Sequence, residues 1–143
     1  MKTGSLFRAN YNSTADVVVN QGGTSSGKTY AILQVLFTLA LQSKCIITVC
    51  GQDIPNLKVG ALRDALKICN DSDAIKQQIV SYNKSERVFL FKNGSEMEYN
   101  SYDNWQDAKS GKREYLFVNE ANGIPYNVYY QLSLRTTKRI YID

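Results

Sequence analysis

A glycine-rich segment near the amino terminus constrains this chain more than any other feature. Its eight consecutive residues match the pattern G-x-x-x-x-G-K-[ST]: Gly22, Gly23, Thr24, Ser25, Ser26, Gly27, Lys28 and Thr29. Such a loop aims backbone N–H groups, with a helix amino terminus behind them, at clustered phosphate charge. The two outer glycines allow the tight turn, the lysine reaches the β- and γ-phosphates, and the threonine hydroxyl ligates Mg²⁺. The segment therefore predicts a nucleoside triphosphate site that takes Mg²⁺, and it leaves the nucleobase open.

The residues on either side of this loop predict a strand–loop–helix unit. Asp16 to Asn20 is a short β-branched run, which predicts a buried strand. Lys28 to Gln42 contains good helix formers and neither Gly nor Pro. A plain Gly/Ser turn between two core elements is the alternative, but such a turn needs neither the lysine nor the threonine in those places.

Composition excludes several classes of protein. The chain has 143 residues, a formal net charge of +4 and no histidine. Without histidine there are no His-based triads and no His-ligated zinc sites. Cys45, Cys50 and Cys69 lack metal-like spacing, which favours small buried hydrophobes in a reducing compartment over a functional thiol. No apolar stretch is long enough to span a bilayer and no leader is evident, so we expect one cytoplasmic domain without a membrane partner.

The middle of the chain predicts alternating strands and helices. Cys45 to Cys50 is a continuous apolar run typical of a parallel strand buried on both faces. Pro55 suits the first turn of a helix that runs to about Cys69, and a second short helix is predicted over Asp73 to Ile79. Asn93-Gly94, between two extended runs, predicts a β-hairpin at a sheet edge or as an insertion.

The last third predicts a further strand, helix and strand. These are Tyr115 to Val118, Tyr126 to Leu134 and Arg139 to Ile142, and the tyrosines at 126, 129 and 130 are expected to pack on the sheet. The whole pattern predicts an α/β P-loop NTPase fold, with a mainly parallel central sheet flanked by helices and an inserted β-hairpin. The ligand should lie at the carboxyl ends of the strands.

Asn119 and Glu120 follow the Tyr115–Val118 run in the position of a Walker B motif. We expect Glu120 to polarise the attacking water, with a helix-capping or solvated glutamate as the alternative. Asn119 stands where an aspartate is usual, and its uncharged amide predicts weaker binding of the metal. Thr29 and Asn119 are the expected metal residues, but Glu120 is an alternative to Asn119, and the sequence leaves their roles open.

The chain resembles the N-terminal ATPase domain of the phage terminase large subunit, the DNA-packaging motor. Four segments carry the resemblance: Gln21–Tyr30, Phe91–Tyr99, Asp107–Arg113 and Leu116–Asn122. The resemblance implies ATP-driven translocation of double-stranded DNA into a procapsid in the host cytoplasm. It also implies a homo-oligomeric ring that works with a portal protein and a small terminase subunit.

The resemblance also implies a basic residue that acts on a neighbouring subunit's nucleotide. Arg113 is the preferred candidate because a guanidinium spans phosphate oxygens bidentately, and Lys109 and Lys112 compete with it. A solvated basic turn is the alternative. Lys28, Glu120 and Arg113 are thus the expected catalytic residues.

The adenine site is less specified. Gln21 joins the nucleotide-binding set, and Arg8 and Tyr11 are further candidates beside ordinary surface or packing roles.

Proteins of this family continue well beyond 143 residues, with a coupling motif and a nuclease domain. We therefore expect residues 1–143 to be a truncated P-loop ATPase domain without nuclease activity. Two alternatives remain at this stage. One is a helicase-like or repair ATPase that shares the same core, and the other is a nucleotide-binding fragment that does not hydrolyse ATP.

Overall fold

The computed structural model describes residues 1–22 and 27–143. Within these ranges seven strands form one sheet: β1 (Val17–Val19), β2 (Ile46–Cys50), β3 (Ile79–Asn83), β4 (Val88–Phe91), β5 (Glu96–Asn100), β6 (Arg113–Val118) and β7 (Thr136–Ile142). Their order is β1-β7-β6-β2-β5-β4-β3. The first five strands in this order pair with one another in parallel. The strand β4 then pairs antiparallel with β5 on one side and with β3 on the other.

Helices cover both faces of this sheet. They are α1 (Ser5–Asn12), α2 (Lys28–Gln42), α3 (Ile54–Val59), α4 (Ala61–Asp71), α5 (Asp73–Lys76) and α6 (Tyr126–Leu134). The larger core cluster brings α2, α3 and α4 against one face, and the smaller cluster brings α6 against the other. The predicted α/β fold, with a mainly parallel sheet between helices, is confirmed.

The first strand lies at the edge of the sheet, so the prediction that it is buried was wrong. Among the described strands, β1 has β7 as its single neighbour, and Val17 and Val19 are 42% and 56% exposed. A β-branched run predicts extended backbone, but it does not reveal how many neighbours the strand will have. The central position belongs to β2, whose last four residues are buried as predicted.

The predicted helix from Pro55 to Cys69 is two helices. Gly60, with φ −116° and ψ −102°, leaves the helical conformation and separates α3 from α4. Asp53 caps α3 by accepting a hydrogen bond of 2.7 Å from the Asn56 N–H. The next short helix ends at Lys76, and Ile79 already begins β3, a strand that the sequence pattern did not predict.

The predicted hairpin is confirmed as β4 and β5, with β3 added at its outer edge. Its turn contains Gly94 at φ 90°, a conformation that favours glycine. One expectation for α6 was wrong. Tyr126 and Tyr130 are 74% and 47% exposed, because Val128 and Leu132 are the residues that α6 buries against the sheet.

Candidate nucleotide-binding site

The phosphate loop leads directly into the amino terminus of α2. Gly27 adopts the left-handed conformation, with φ 76°, at the N-cap of this 15-residue helix, and it offers no side chain to cap it. The first N–H groups of a helix lack partners within the helix and carry its positive dipole end, so they suit a phosphate. Gln21 and Gly22, the residue before the loop and its first residue, are exposed. The predicted contacts at Gly23, Thr24, Ser25 and Ser26 lie outside the described residues.

Lys28 turns back over the loop that precedes it. Its Nζ donates a hydrogen bond of 2.9 Å to the backbone carbonyl of Gly22. This bond joins the lysine of the glycine-rich pattern to the first glycine of that pattern. The Lys28 side chain is therefore directed back toward the first residue of the glycine-rich pattern.

Thr29 contacts two polar side chains that follow other strands. Its Oγ1 donates to Asp143 Oδ2 at 2.6 Å and accepts from Asn119 Nδ2 at 3.2 Å. Asn119 Nδ2 also donates to both carboxylate oxygens of Asp143, at 3.2 and 3.3 Å. Asn119 thus presents its amide nitrogen, rather than its oxygen, to the hydroxyl that was predicted to ligate Mg²⁺.

Glu120 adopts an uncommon backbone conformation beside this group. Its φ is 52° and its ψ is 62°, in the left-handed region, which costs a residue other than glycine free energy. Its N–H donates to Asp143 Oδ1 at 2.7 Å, and its carbonyl accepts from the Gly123 N–H at 3.1 Å. These two bonds stabilise the turn, and the Glu120 side chain remains exposed.

One cavity of about 460 Å³ joins these groups. Five of the residues that line it carry the argument: Lys28, Thr29, Asn119, Glu120 and Asp143. The last three follow the carboxyl ends of β6 and β7, where ligands bind in sheets of this type. The structure therefore brings Lys28 and Thr29 to the same cavity as Glu120, the acid that follows a later strand.

Asp143 was missing from the sequence-derived site. It follows β7, which pairs in parallel with both β6 and β1. The rule that ligands gather at the carboxyl ends of neighbouring strands would have included it, had the order of the strands been known. The sequence does not reveal that order, and no motif marks an isolated aspartate.

Asp64 lines the same cavity from α4. Burial raises the pKa of its carboxyl, while Arg63 and Lys67 nearby lower it. Burial also raises the pKa of the neighbouring Tyr30.

Comparison with solved structures identifies the fold. The large terminase of a thermophilic bacteriophage aligns with a TM-score of 0.77 at 13% identity, and the ATPase domain of the Thermus phage P74-26 large terminase with 0.73 at 17%. The HK97 bacteriophage large terminase aligns with a TM-score of 0.73 at 11% identity. The chain has the large terminase fold. No family model matches the sequence, and no curated protein matches it significantly.

The alignments cover nearly the whole of this chain but only part of each solved structure. The alignments cover 99% of the chain, but they cover 39% of the thermophilic phage protein, 33% of the HK97 protein and 64% of the P74-26 ATPase domain. Two further structures of the thermophilic phage protein that match are complexes with ADP and with ATP-gamma-S.

Arg113, the preferred candidate for the basic residue that acts on a neighbouring subunit, is buried in its own domain. It is 3% exposed, its Nε donates to Thr48 Oγ1 at 2.7 Å, and its Nη1 donates to the Leu132 carbonyl at 3.3 Å. A guanidinium held inside its own domain cannot reach a neighbouring subunit, so the preference for Arg113 was wrong. The two competing lysines, Lys109 and Lys112, are both exposed.

Tyr11 also lies away from the candidate nucleotide site. Its ring stacks on Phe7 at 5.6 Å between centroids, and its hydroxyl accepts a hydrogen bond from the Gln42 amide. Gln42 ends α2, roughly 20 Å from the end that begins with Lys28, at 1.5 Å per residue. Tyr11 therefore packs α1 on the far end of α2. Arg8 and Gln21 are exposed, and their adenine contacts stay predictions.

The described residues suit a nucleotide-bound metal better than a free one. Within residues 1–22 and 27–143, no group of three or more His, Cys, Asp or Glu is arranged to hold a metal ion. Mg²⁺ in nucleotide sites needs one or two carboxylates in addition to phosphate oxygens. The Thr29 hydroxyl and the Asp143 carboxylate, 2.6 Å apart, match that donor set.

The helices of the terminase fold do not include a membrane span. Among those in the described part of the chain, none is both long and apolar enough to cross a bilayer.

Proposed function

We propose that this chain is the ATP-binding and ATP-hydrolysing motor domain of a phage terminase large subunit. The observation that carries the proposal is the convergence of Lys28, Thr29 and Glu120 on one cavity at the carboxyl ends of a parallel sheet. The terminase fold supports it, as do the nucleotide complexes among the similar structures. The work that ATP hydrolysis drives is packaging of double-stranded DNA into a procapsid in the host cytoplasm.

The residues of the cavity divide the chemistry among them. The amino terminus of α2 and the Lys28 ammonium bind the phosphates and balance their charge. Thr29 and its neighbours would hold Mg²⁺, which would neutralise phosphate charge. The Glu120 carboxylate is exposed at the cavity and free to orient and polarise the attacking water.

A cation from a neighbouring subunit completes the site in a homo-oligomeric ring. With Arg113 buried, Lys109 and Lys112 are the candidates for this role. The Lys109 ammonium lies 4.4 Å from the centroid of the Trp105 ring, in an exposed segment. Lys112 is exposed just before β6 and makes no such contact with a described aromatic ring, so we favour Lys112. The portal protein and the small terminase subunit are the further partners proposed.

Equilibrium binding of a fluorescent ATP analogue with Mg²⁺ tests the nucleotide site. We expect saturable binding to the chain and its loss in Lys28→Ala, because the phosphates lose the ammonium that the motif assigns to them. Lys84→Ala is the matched control, since Lys84 is exposed in the turn between β3 and β4. Equal binding by Lys28→Ala and Lys84→Ala would contradict the proposed site.

Phosphate release with and without double-stranded DNA tests the motor function. We expect hydrolysis to rise when DNA is added and to fall as salt is raised, because contacts to the DNA backbone weaken with salt. The test is run at rising protein concentration, since a site completed by a neighbour gains activity as subunits associate. Binding without hydrolysis at any concentration or with DNA would favour the non-hydrolysing alternative, and stimulation by single-stranded DNA alone would favour the helicase-like one.

A further inference from the structure

The cluster around Asn119 raises the question of which group anchors the metal. A nucleotide-bound Mg²⁺ needs a carboxylate from the protein, and the residue after β6 is an amide. That amide is 7% exposed and directs Nδ2 at Thr29 and at Asp143. In this orientation Asn119 is a hydrogen-bond donor to the site, and it supplies no oxygen ligand.

A carboxylate, that of Asp143, is present at the end of the neighbouring strand β7. Val118 and Ile142 are register partners in the parallel pair β6–β7, so Asn119 and Asp143 occupy equivalent positions just beyond them. The Asp143 N–H donates to the Val118 carbonyl at 3.2 Å, which continues the pairing to this point. Asp143 therefore places a carboxylate on the neighbouring strand, at the same edge of the sheet as Asn119.

Asp143 also contacts the one residue that the phosphate-loop pattern assigns to the metal. Its Oδ2 accepts from Thr29 Oγ1 at 2.6 Å, and its Oδ1 accepts from the Glu120 N–H at 2.7 Å. The two Asn119 contacts orient the carboxylate from a third side. An aspartate held by three partners next to the predicted metal-binding hydroxyl is preorganised for a cation.

We propose that Asp143 anchors the nucleotide-bound Mg²⁺ in place of an acid at Asn119. Asn119 acts as a positioning residue that orients this carboxylate. The inference rests on the proposed nucleotide-binding function. It differs from a purely structural role for Asp143, in which the carboxylate stabilises the left-handed turn at Glu120 and does not contact the metal.

Two measurements separate these roles. One is the affinity for an ATP analogue in the presence of Mg²⁺ and in EDTA. The other is the affinity of the ADP complex for Mn²⁺, followed by electron paramagnetic resonance. In Asp143→Asn we expect the affinity of the nucleotide complex for Mn²⁺ to fall by about tenfold to a hundredfold, as for other changes around metal ligands. Affinity in EDTA should be unchanged or higher, because a negative charge near the phosphates is removed.

A charge relocation strengthens the test. We expect the double variant Asn119→Asp with Asp143→Asn to regain most of the Mn²⁺ affinity, because the carboxylate returns to the same edge of the sheet from the neighbouring strand. Asp103→Asn is the matched control, since Asp103 is exposed in a loop and should bind as the wild type does. Thermal unfolding of each variant reports whether it is folded, and the double variant decides the question if Asp143→Asn alone does not fold.

The outcomes distinguish the inference from the function on which it rests. If the wild-type chain binds the nucleotide neither in Mg²⁺ nor in EDTA, the proposed function fails. If the wild type binds it in a metal-dependent manner and Asp143→Asn has the same Mn²⁺ affinity, the inference alone fails. Equal loss of nucleotide affinity with and without metal, or no recovery in the double variant, would assign Asp143 a structural role and overturn the inference.

Discussion

At the scale of single residues, the backbone of Glu120 places its carboxylate, the proposed catalytic group, at the cavity. Its φ of 52° reverses the chain directly after β6, so that Glu120 lines the cavity beside Lys28 and Thr29. The hydrogen bond from its N–H to Asp143 and the one that its carbonyl accepts from Gly123 offset the cost of that conformation. Residues held in this region are concentrated at functional sites, in agreement with the proposed role.

Glu120→Gln should separate binding from hydrolysis. The amide keeps the size of the side chain but cannot accept a proton from water, so the hydrolysis rate should fall by about 100-fold or more. Nucleotide affinity should change little, because the phosphates bind to α2 and Lys28. Phosphate release and analogue binding are measured beside Glu86→Gln, an exposed control. Hydrolysis at the wild-type rate would remove Glu120 from its proposed role.

The buried cysteines should make the folded protein less stable at alkaline pH. Burial raises the pKa of the Cys50 and Cys69 thiols from 9.0 to about 12. The unfolded chain therefore loses these protons near pH 9 while the folded chain keeps them. The contribution of these two thiols to the free energy of unfolding is therefore fully present below pH 9 and is lost as the pH rises toward 12.

Urea unfolding at several pH values between 8 and 11 measures this effect. The free energy of unfolding should fall over that range in the wild type, and the fall should be smaller in Cys69→Ala, whose absolute stability is also lower. Cys69→Ala with the same slope as the wild type would show that the thiol does not contribute. The three cysteines should also resist alkylation until the chain unfolds, because all three are buried.

At the scale of elements, the β4–β5 turn holds the carboxyl-terminal end of α2. Ser95 is fully buried, and its Oγ donates to the Ala40 carbonyl at 2.8 Å and accepts from the Cys45 N–H at 3.1 Å. Asn93 Nδ2 donates to the same Ala40 carbonyl at 2.8 Å. The hairpin therefore supplies hydrogen-bond donors to a backbone carbonyl in the last turn of α2, the helix that begins at the glycine-rich loop.

Ser95→Ala should lower the free energy of unfolding by about 1–3 kcal/mol, because it leaves buried backbone groups without partners. Ser81→Ala, at an exposed position of β3, is the control and should have a much smaller effect. Urea denaturation compares the two variants with the wild type. Equal stability of Ser95→Ala and the wild type would show that the turn does not anchor α2.

At the scale of the whole molecule, ligand binding should be linked to folding. The cavity is built from the amino end of α2 and from the residues after β6 and β7, which come together only in the folded chain. Any ligand of this cavity binds the native state and not the unfolded one, and therefore stabilises the fold.

ATP with Mg²⁺ should therefore raise the unfolding temperature, with a stabilisation of about 2.7 kcal/mol at a ligand concentration 100 times the Kd. Lys28→Ala should show no such rise. Differential scanning fluorimetry across a nucleotide titration measures it, and Lys84→Ala should behave as the wild type does. A rise that is equal in Lys28→Ala would place the ligand elsewhere on the molecule.

The sequence by itself determined the parts of this protein that depend on neighbours along the chain. The glycine-rich loop with its helix, the Asn93-Gly94 hairpin and the Asn119-Glu120 pair after a strand each depend on local backbone geometry, which a short pattern encodes. The tertiary structure alone decided the features that depend on distant neighbours. These are the edge position of β1, the burial of Arg113 against Thr48, and the arrival of Asp143 beside Thr29, because strand order is set by packing of the whole sheet and no local pattern records it.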